Sequence, residues 1–261
     1  RPMGDKATLF DLKDRAFIVT GAGRGIGAEL TAGLAEAGAC VAVAGRTAAD
    51  CEKVAGDITA KGGRAIAAPF DARDEGQCTS LIDKTVQAFG RLDGAVVNHG
   101  IGLHRDALDT TREEFAEMLD GNLTSYFLMC RELGRRWVAD GKPGAIVLMS
   151  SNASFLAYDE LAAYGVSKAG VDQLCRQLAS EWAGYGIRVN AIGPGYMTAS
   201  MKGIESVYDA PEVKAKILPR IPAGRYGALR ELLGATVYFL SDEAGYTTGQ
   251  YLAIDGGYSL I

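Results

Sequence analysis

Three residues in the second half of the chain have the types and spacing that can move a proton to or from an alcohol oxygen. Tyr164 and Lys168 are four positions apart in the stretch AAYGVSKAG, and residues at i and i+4 share one face of a helix. Ser151 directly follows an apolar run, GAIVLMS, and a serine there can approach the same pocket. A tyrosine alone has a pKa near ~10, and a lysine cation beside it lowers that pKa. The three residues therefore predict a general acid or base that works near neutral pH.

A glycine-rich stretch near the N-terminus has the context of a dinucleotide-binding turn. The sequence TGAGRGIG follows a short apolar run, AFIV, and precedes AELTAGLAEAG, which has helical periodicity and ends at a capping glycine, Gly38. Strand, glycine turn and helix in this order distinguish a dinucleotide fingerprint from a chance cluster of glycines. Such glycines let the backbone approach a pyrophosphate, and the amides of the first helical turn face the anion. The predicted contacts in this loop are Gly21, Arg24, Gly25, Ile26 and Gly27.

Apolar runs alternate with helical patterns along the chain, and this alternation predicts the fold. The runs are AFIV, CVAVAG, RAIAAPF, DGAVVN, GAIVLMS, IRVNAIG and QYLAID. Their near-continuous hydrophobicity is typical of strands that are buried on both faces of a parallel sheet. We therefore expect an α/β protein, with one Rossmann-type domain over residues 1–261 and a doubly wound, seven-stranded parallel sheet. The irregular stretch 198–227 is expected to be a substrate lid.

Composition and charge argue against several classes of protein. The chain has 261 residues, 48% of them hydrophobic, which is enough for a large core. A net charge of −5, a pI near 5.2 and the lack of a basic block argue against a nucleic-acid partner. No apolar stretch has the length of a membrane span, and the N-terminal segment is too polar for a secretory signal. Five dispersed cysteines without C-x-x-C spacing indicate reduced thiols in a cytoplasmic protein, with neither disulfides nor a metal site.

Together, the motifs resemble those of the short-chain dehydrogenase/reductase family. The glycine loop, the serine and Y-x-x-x-K occur in the family's order, VVNHG is similar to its N-N-A-G, and DGNLTSYF contains its helix asparagine. IGPGYMTAS resembles the family's P-G segment, and TGQYLAIDGG resembles its last strand. The resemblance implies reversible hydride transfer between a nicotinamide and a small alcohol or carbonyl substrate, such as a polyol, a sugar acid or a ketone. The opening LFDLKDRAFIVTG and the AGR strand end are similar to gluconate 5-dehydrogenases and related polyol or sugar-acid enzymes.

The resemblance also implies roles for four catalytic residues. Tyr164 exchanges the proton with the substrate oxygen, and Ser151 orients that oxygen, with the neighbouring Ser150 as its rival. Lys168 lowers the pKa of the tyrosine and binds the nicotinamide ribose. Asn122 holds a water that relays the proton to solvent.

Further cofactor contacts follow from the resemblance. They are Asp71 and Ala72 beside the adenine, Asn98 and Gly100 in the loop that matches N-N-A-G, and Pro194, Gly195 and Met197 in the P-G segment. The chain departs from the family at Val97 and His99, which replace the first asparagine and the alanine. We interpret His99 as a substituted spacer beside the nucleotide and not as an acid. Ala199 replaces a threonine of the family, so we expect Thr198 or Ser200 to make that contact.

The end of the second predicted strand bears on the choice between NAD and NADP. Gly45 occupies the position where NAD-binding members of the family carry an acidic residue, and Arg46 follows it. An arginine can bind a 2′-phosphate, and Arg24 in the glycine loop adds a second cation. NADP(H) is therefore the favoured cofactor, and NAD(H) is the alternative.

Two other functions remain open at this point. One is a non-enzymatic nucleotide sensor, which is expected to lack a catalytic residue. The other is a 3-oxoacyl-[acyl-carrier-protein] reductase, which needs a basic docking pair on its two long helices. Arg135 could supply one half of that pair, but the matching position is Ser180.

We also expect a homotetramer, because members of the family commonly assemble through two long helices and the last strand. The helix predicted from about Arg112 to Asp140 carries more apolar bulk than one sheet-facing stripe requires. These apolar residues are Tyr126, Phe127, Met129, Leu133 and Trp137. The apolar end of the chain, YSLI, is expected to pack against a neighbouring subunit and to help close its substrate pocket. The alternative is that both features pack within one subunit.

Overall fold

The computed structural model describes residues 9–198 and 210–260, which form alternating strands and helices. The strands are β1 (Ala16–Thr20), β2 (Cys40–Gly45), β3 (Arg64–Pro69), β4 (Gly94–Val97), β5 (Gly144–Met149), β6 (Ile187–Pro194) and β7 (Tyr251–Ile254). The helices are α1 (Gly25–Glu36), α2 (Ala48–Ala60), α3 (Glu75–Phe89), α4 (Arg112–Leu119), α5 (Ser125–Asp140), α6 (Ala162–Trp182), α7 (Pro211–Ile217) and α8 (Leu233–Leu240). Each apolar run that predicts a strand overlaps one, and β1 and β6 each extend one residue beyond the end of their run.

The strands form one parallel sheet in the order β3-β2-β1-β4-β5-β6-β7. The order reverses at β1, because the chain moves outward to β3 and then returns to place β4 on the other side of β1. Residues of α1, α2 and α8 pack on one face of the sheet, and residues of α3, α5 and α6 pack on the other. The predicted α/β fold with a doubly wound, seven-stranded parallel sheet is confirmed. In such a sheet, ligands bind at the carboxyl ends of the strands where the order reverses.

Burial differs between the centre and the edges of the sheet. Every residue of β1, β4 and β5 is buried, which explains why these strands are apolar without alternation. Most residues of the edge strands β3 and β7 are half-buried or exposed, and Leu252 is 42% exposed. The expectation of burial on both faces is therefore wrong for the two edge strands, which lie at the rim of the helical layers.

A π-helical turn divides the helix that the sequence predicts from Arg112 to Asp140. α4 begins at a capping box formed by Thr111 and Glu114, and α5 begins at Ser125. The residues between these helices, Asp120–Thr124, form the π turn. Such turns add a residue to the helical ring and occur often at functional sites. This turn contains Asn122.

Most of the apolar residues on this helix lie in the core of the subunit. Tyr126, Met129, Leu133 and Trp137 are at most 1% exposed, because α5 packs against the sheet and its neighbouring helices. Phe127 differs from them and is 41% exposed. The sequence suggests that these five apolar residues are more than the sheet-facing side of the helix requires. This interpretation is wrong for the four buried residues and holds only for Phe127.

The C-terminal part of the chain contains the described portion of the expected lid. This portion starts at residue 210 and includes α7, whereas Ala199 and Ser200 lie outside the described residues. Tyr258 packs in a small apolar cluster with residues at the end of α7 and beyond it. The first residue of the apolar tail is thus buried in its own subunit, and Leu260 is 82% exposed.

Two kinds of feature are absent from residues 9–198 and 210–260. No helix there is both long enough and apolar enough to cross a bilayer. No group of three or more His, Cys, Asp or Glu side chains there could hold a metal ion. The five cysteines are all unpaired and buried.

Candidate active site

A cavity of about 860 Å³ opens at the carboxyl ends of the strands. It lies where the strand order reverses, because the loops that follow β1 and β4 diverge there. The predicted site residues that line it are Gly21, Arg24, Gly25, Ile26, Arg46, Asp71, Ala72, Asn98, Gly100, Ser151, Tyr164, Lys168, Pro194, Gly195 and Met197. Gly27 and Asn122 are buried behind this lining.

The glycine turn after β1 leaves room for an anion at the start of α1. Gly25 has a φ of +55°, and a Cβ there would meet no atom within 4 Å. A Cβ at Gly27 would lie only 2.2 Å from the carbonyl oxygen of Gly21, so no larger residue fits. Arg24 precedes the helix and makes no side-chain capping bond, so the first N–H groups of α1 have no side-chain cap. This open cradle of N–H groups fits a pyrophosphate.

Cationic and hydroxyl side chains surround the end of β2. Arg24 and Arg46 are exposed at the cavity, and neither forms an ion pair with a described residue. Thr47 precedes α2, but its side chain makes no capping hydrogen bond to that helix. A Cβ at Gly45 would lie 3.4 Å from the sulfur of Cys51, which is an ordinary contact. Packing therefore does not require the glycine that stands in place of a carboxylate.

The loop after β3 carries Asp71 and Ala72 to the cavity wall. The carboxylate of Asp71 accepts a hydrogen bond from the backbone N–H of Arg73 at 3.0 Å. The guanidinium of Arg73 forms ion pairs with Glu117 and Asp120. Arg73 lines the cavity as well, but these two carboxylates already neutralise its charge.

His99 connects the loop after β4 to two other elements. Its Nδ1 lies 2.8 Å from Oγ1 of Thr20, and its Nε2 lies 2.9 Å from Oγ of Ser125. The hydroxyl of Ser125 donates to the carbonyl of Gly121, so it accepts from Nε2–H of the histidine. Burial at the cavity wall is the main cause that lowers the pKa of His99 to about 3, and the charge of Lys168 is the next. A ring held neutral in this way joins elements and does not act as a general acid.

Two asparagines join the cavity wall to neighbouring parts of the chain. Asn98 donates from Nδ2 to the carbonyl of Thr20 at 3.2 Å. Asn122 accepts from the N–H of Ile101 at 2.8 Å, and its Nδ2 donates to the carbonyl of Ile101 at 3.0 Å and to Oγ of Ser167 at 3.1 Å. Asn122 thus joins the loop after β4 to α6, and its side chain is fully engaged with protein groups.

Ser151 directs a hydroxyl into the cavity from the turn that follows β5. Its Oγ accepts a hydrogen bond from the N–H of Ala153 at 3.1 Å, which leaves the hydroxyl proton available for donation. Ser150 is buried and donates to the carbonyl of Lys168 at 3.4 Å. The hydroxyl of Tyr251 donates to the carbonyl of Ser151 at 3.0 Å and holds the turn in place. This geometry favours Ser151 over its neighbour as the serine that meets a substrate.

Tyr164 and Lys168 lie one turn apart on α6, and both line the cavity. The ammonium of Lys168 is 5.8 Å from the centre of the Tyr164 ring. It donates to the carbonyl of Met149 at 2.9 Å and to the hydroxyl of Tyr126 at 3.4 Å. Burial lowers the pKa of Lys168 to about 8, although the negative charge of Asp172 acts to raise it. A cation therefore stands beside the tyrosine ring, as the spacing predicts.

The segment after β6 closes the far wall of the cavity. The N–H of Gly195 donates to the carbonyl of Ile254 at 3.0 Å, which attaches the segment to β7. Met197 pairs with Gly227 in a short parallel bridge. This bridge fixes the beginning of the stretch that contains the expected lid.

Three lining residues near Tyr164 are not among the residues that the sequence predicts for the site. They are Tyr158, Leu161 and Tyr196. The rings of Tyr158 and Tyr196 meet edge to face, with their centres 6.3 Å apart. Tyr196 has a sequence signal, because it belongs to the P-G segment. Tyr158 and Leu161 have none, because they lie in irregular chain between β5 and α6.

Comparisons with known proteins identify the family. The profile described as "Enoyl-(Acyl carrier protein) reductase" matches residues 21–259. The chain is 32% identical over 251 residues to 2-dehydro-3-deoxy-D-gluconate 5-dehydrogenase of Escherichia coli, covering 96% of this chain and 98% of that relative. It is 36% identical over 256 residues to NADP-dependent mannitol dehydrogenase of Alternaria alternata, covering 96% and 94%. The crystal structure of a gluconate 5-dehydrogenase from Burkholderia cenocepacia in complex with NADP and tartrate matches with a TM-score of 0.91 at 31% identity, covering 97% of this chain and 98% of that one.

The chain belongs to the short-chain dehydrogenase/reductase family. It is an oxidoreductase that acts on CH–OH donors with a nicotinamide cofactor, and its substrate is a small molecule. The residues around the glycine turn fit such a cofactor, because open space, uncapped N–H groups and free guanidinium groups meet there.

Proposed function

We propose that the chain is an NADP(H)-dependent dehydrogenase of small polyols or sugar acids, with Tyr164 as its general acid or base. The observation that carries this proposal is that Ser151, Tyr164 and Lys168 line one cavity together with the glycine turn after β1. The dinucleotide supplies the hydride chemistry when it is bound. The protein positions the substrate and the dinucleotide, and it supplies or accepts the proton.

Each of the four catalytic residues has a role that its surroundings support. Ser151 donates a hydrogen bond to the substrate oxygen and orients it for proton exchange with the phenol of Tyr164. The ammonium of Lys168 stabilises the phenolate that forms when Tyr164 loses its proton. The side chain of Asn122 joins α6 to the loop after β4, and its polar atoms already bond to protein groups. A relay water at this residue is therefore bound by the backbone of Asn122 and not by its side chain.

The surroundings of β2 support a preference for NADP(H) over NAD(H). Arg24, Arg46 and Thr47 line the same cavity, Arg46 and Thr47 directly precede α2, and guanidinium groups suit a 2′-phosphate. No carboxylate occupies position 45, where it would accept hydrogen bonds from an unphosphorylated ribose.

The charges at the cavity support a neutral polyol as the first choice of substrate. Among the described residues, the basic side chains of the lining are Arg24, Arg46, Arg73 and Lys168. The three arginines follow β1, β2 and β3, away from the uncharged rings of Tyr158 and Tyr196. A sugar acid requires a cation for its carboxylate, and Lys202 lies outside the described residues. Sugar acids remain the second choice because relatives of the chain are named for them.

A panel of polyols, sugar acids and ketones, assayed with NADP(H) and NAD(H), tests the proposed substrates and cofactor. Tyr164→Phe tests the chemistry, because it removes the phenolic proton and little surface. Turnover should be abolished, whereas the dissociation constant for NADP(H) should stay nearly unchanged. Tyr246→Phe is the control, since Tyr246 is fully exposed. If Tyr164→Phe keeps more than a small fraction of the wild-type rate, the role of Tyr164 is wrong.

An acyl-carrier-protein reductase is the second candidate, since the matching profile carries such a description. Docking of an acidic carrier needs free basic residues on the long helices. Arg135 instead forms ion pairs with Glu132 at 2.8 Å and with Glu75 at 3.6 Å. Reduction of a 3-oxoacyl thioester faster than any polyol or sugar-acid reaction would favour this candidate.

A homotetramer, a lid and a cytoplasmic location complete the proposal. Phe127 on α5 and Val166 on α6 are exposed, which supports an interface along the two long helices. The bridge between Met197 and Gly227 brings together the two ends of the stretch 198–227, as a lid requires. Five unpaired thiols suit a reducing compartment. Light scattering that gives a mass near the 27.5 kDa of the monomer would contradict the tetramer.

A further inference from the structure

Lys168 is a buried cation that is held without an ion pair. It is 4% exposed, and no carboxylate of the described residues lies within ion-pair distance of its ammonium. Besides the carbonyl of Met149, the side chain of Tyr126 faces the ammonium. The ammonium lies 3.4 Å from the hydroxyl of Tyr126 and 4.9 Å from the centre of its ring. A hydroxyl acceptor and a ring face both stabilise a desolvated ammonium.

Tyr126 is itself held firmly. It is fully buried on α5, and its hydroxyl donates to the carbonyl of Met149 at 3.0 Å. Its ring packs against the ring of His99, with the two centres 4.8 Å apart. The hydrogen bonds of His99 to Thr20 and Ser125 fix that ring in turn. Contacts therefore connect β1, the loop after β4 and α5 to the ammonium group on α6.

We propose that Tyr126 is a positioning residue for Lys168, and that His99 holds Tyr126 where its ring and hydroxyl face the ammonium. This inference rests on the proposed role of Lys168 in binding the cofactor ribose and supporting Tyr164. The titratable groups that face Lys168 are Tyr164 and Asp172 from α6, Tyr126 from α5, and His99 from the loop after β4. Asp172 favours the ammonium by its charge, and His99 is neutral and does not oppose it.

The direction of the effect follows from the hydrogen bond. A hydroxyl that accepts from an ammonium favours the charged form, so its removal lowers the pKa of the lysine. Tyr126→Phe keeps the ring and removes this acceptor. Hydrogen bonds to charged groups are strong enough to move a pKa by about one unit. The ammonium of Lys168 should then be lost at a lower pH than in the wild type.

Calorimetric titration with NADP⁺ over a series of pH values, without substrate, measures this shift apart from turnover. Because the pKa of Lys168 is lowered to about 8, the affinity should fall as pH rises through an accessible range. Lys168→Met should abolish this inflection and so assign it. In Tyr126→Phe the inflection should move down by about one pH unit, and the alkaline limb of kcat should move with it.

Control variants separate this inference from other causes. Tyr238→Phe also removes a tyrosine hydroxyl, from a hydrogen bond to Thr247 on another side of the fold, and should leave the inflection in place. An unchanged inflection in Tyr126→Phe overturns the inference alone. A wild-type curve without any inflection overturns the role of Lys168 in cofactor binding, and the inference with it.

His99→Ala provides a second variant with an independent result. It should move the inflection in the same direction as Tyr126→Phe, since the tyrosine loses the ring that holds it. In the double variant, His99→Ala should add nothing to Tyr126→Phe, because the hydroxyl that it positions is gone. Additive shifts would show that His99 acts on Lys168 by another route and would overturn the proposed link.

Discussion

Acid should destabilise this protein through one identifiable residue, His99. Its pKa is lowered from 6.5 in the unfolded chain to about 3 in the folded protein, mainly because the ring is buried. Between these two pH values the unfolded chain binds a proton that the native protein does not. The contribution of His99 to the free energy of unfolding is therefore fully present above the unfolded pKa of 6.5, and it is lost as pH falls toward the folded pKa of about 3. At about pH 5 the expected loss of unfolding free energy is about 2 kcal/mol relative to neutral pH.

The measurement is urea-induced unfolding, followed by tryptophan fluorescence at a fixed protein concentration near neutral pH and near pH ~5. His99→Gln removes the titration and retains groups that can bond to Thr20 and Ser125. The substitution can change the free energy of unfolding at neutral pH, so the comparison is between the two acid-induced losses. On acidification the variant should lose about 2 kcal/mol less unfolding free energy than the wild type, since the other groups titrate alike in both. His104→Gln is the control, because this second histidine is partly exposed. Equal acid losses in wild type and His99→Gln would refute the reasoning.

Three further predictions concern the cofactor site and the assembly. Arg46→Ala should weaken NADP(H) binding by about tenfold or more and NAD(H) binding much less, because a charged hydrogen bond to the 2′-phosphate is lost; equal losses in titrations with the two cofactors would contradict the assignment. Gly27→Ala should prevent dinucleotide binding, since its Cβ would lie 2.2 Å from the carbonyl of Gly21. Its control, Gly56→Ala in α2, meets no atom within 4 Å and should raise the free energy of unfolding by about 1 kcal/mol in urea unfolding. Phe127→Ser should lower the mass found by light scattering if α5 forms an interface, and an unchanged tetramer would place the interface elsewhere.

Much of the fold follows from local sequence. Strands buried in a parallel sheet must be apolar along their whole length, and the helices between them must be amphipathic, so both leave a pattern within a few residues. The same holds for the glycine turn, because its conformation depends on the residues of the turn itself. Tyr164 and Lys168 share a helix face through their spacing alone. These features could be predicted before any contact between distant residues was known.

Other features depend on where distant elements meet. The sequence does not show that helices cover β3 and β7 less completely than the central strands. Nor does it show that α5 fits between the sheet and its neighbours, which buries Tyr126 and Trp137 in the subunit and leaves Phe127 outside. Burial of this kind is set by packing between elements, and apolar residues on a helix look alike in sequence whether they meet a core or a partner.

The sequence by itself determined the class of fold, the dinucleotide turn and the residues that we propose for proton exchange. Only the tertiary structure decided that the hydroxyl of Ser150 donates to the carbonyl of Lys168 while that of Ser151 keeps its proton available, that His99 is neutral, and that Tyr126 faces the ammonium of Lys168. The physical reason is that burial and hydrogen bonding set the protonation of a side chain. The groups that bury His99 and bond to it come from β1 and α5, far from it in the chain, and only folding brings them together.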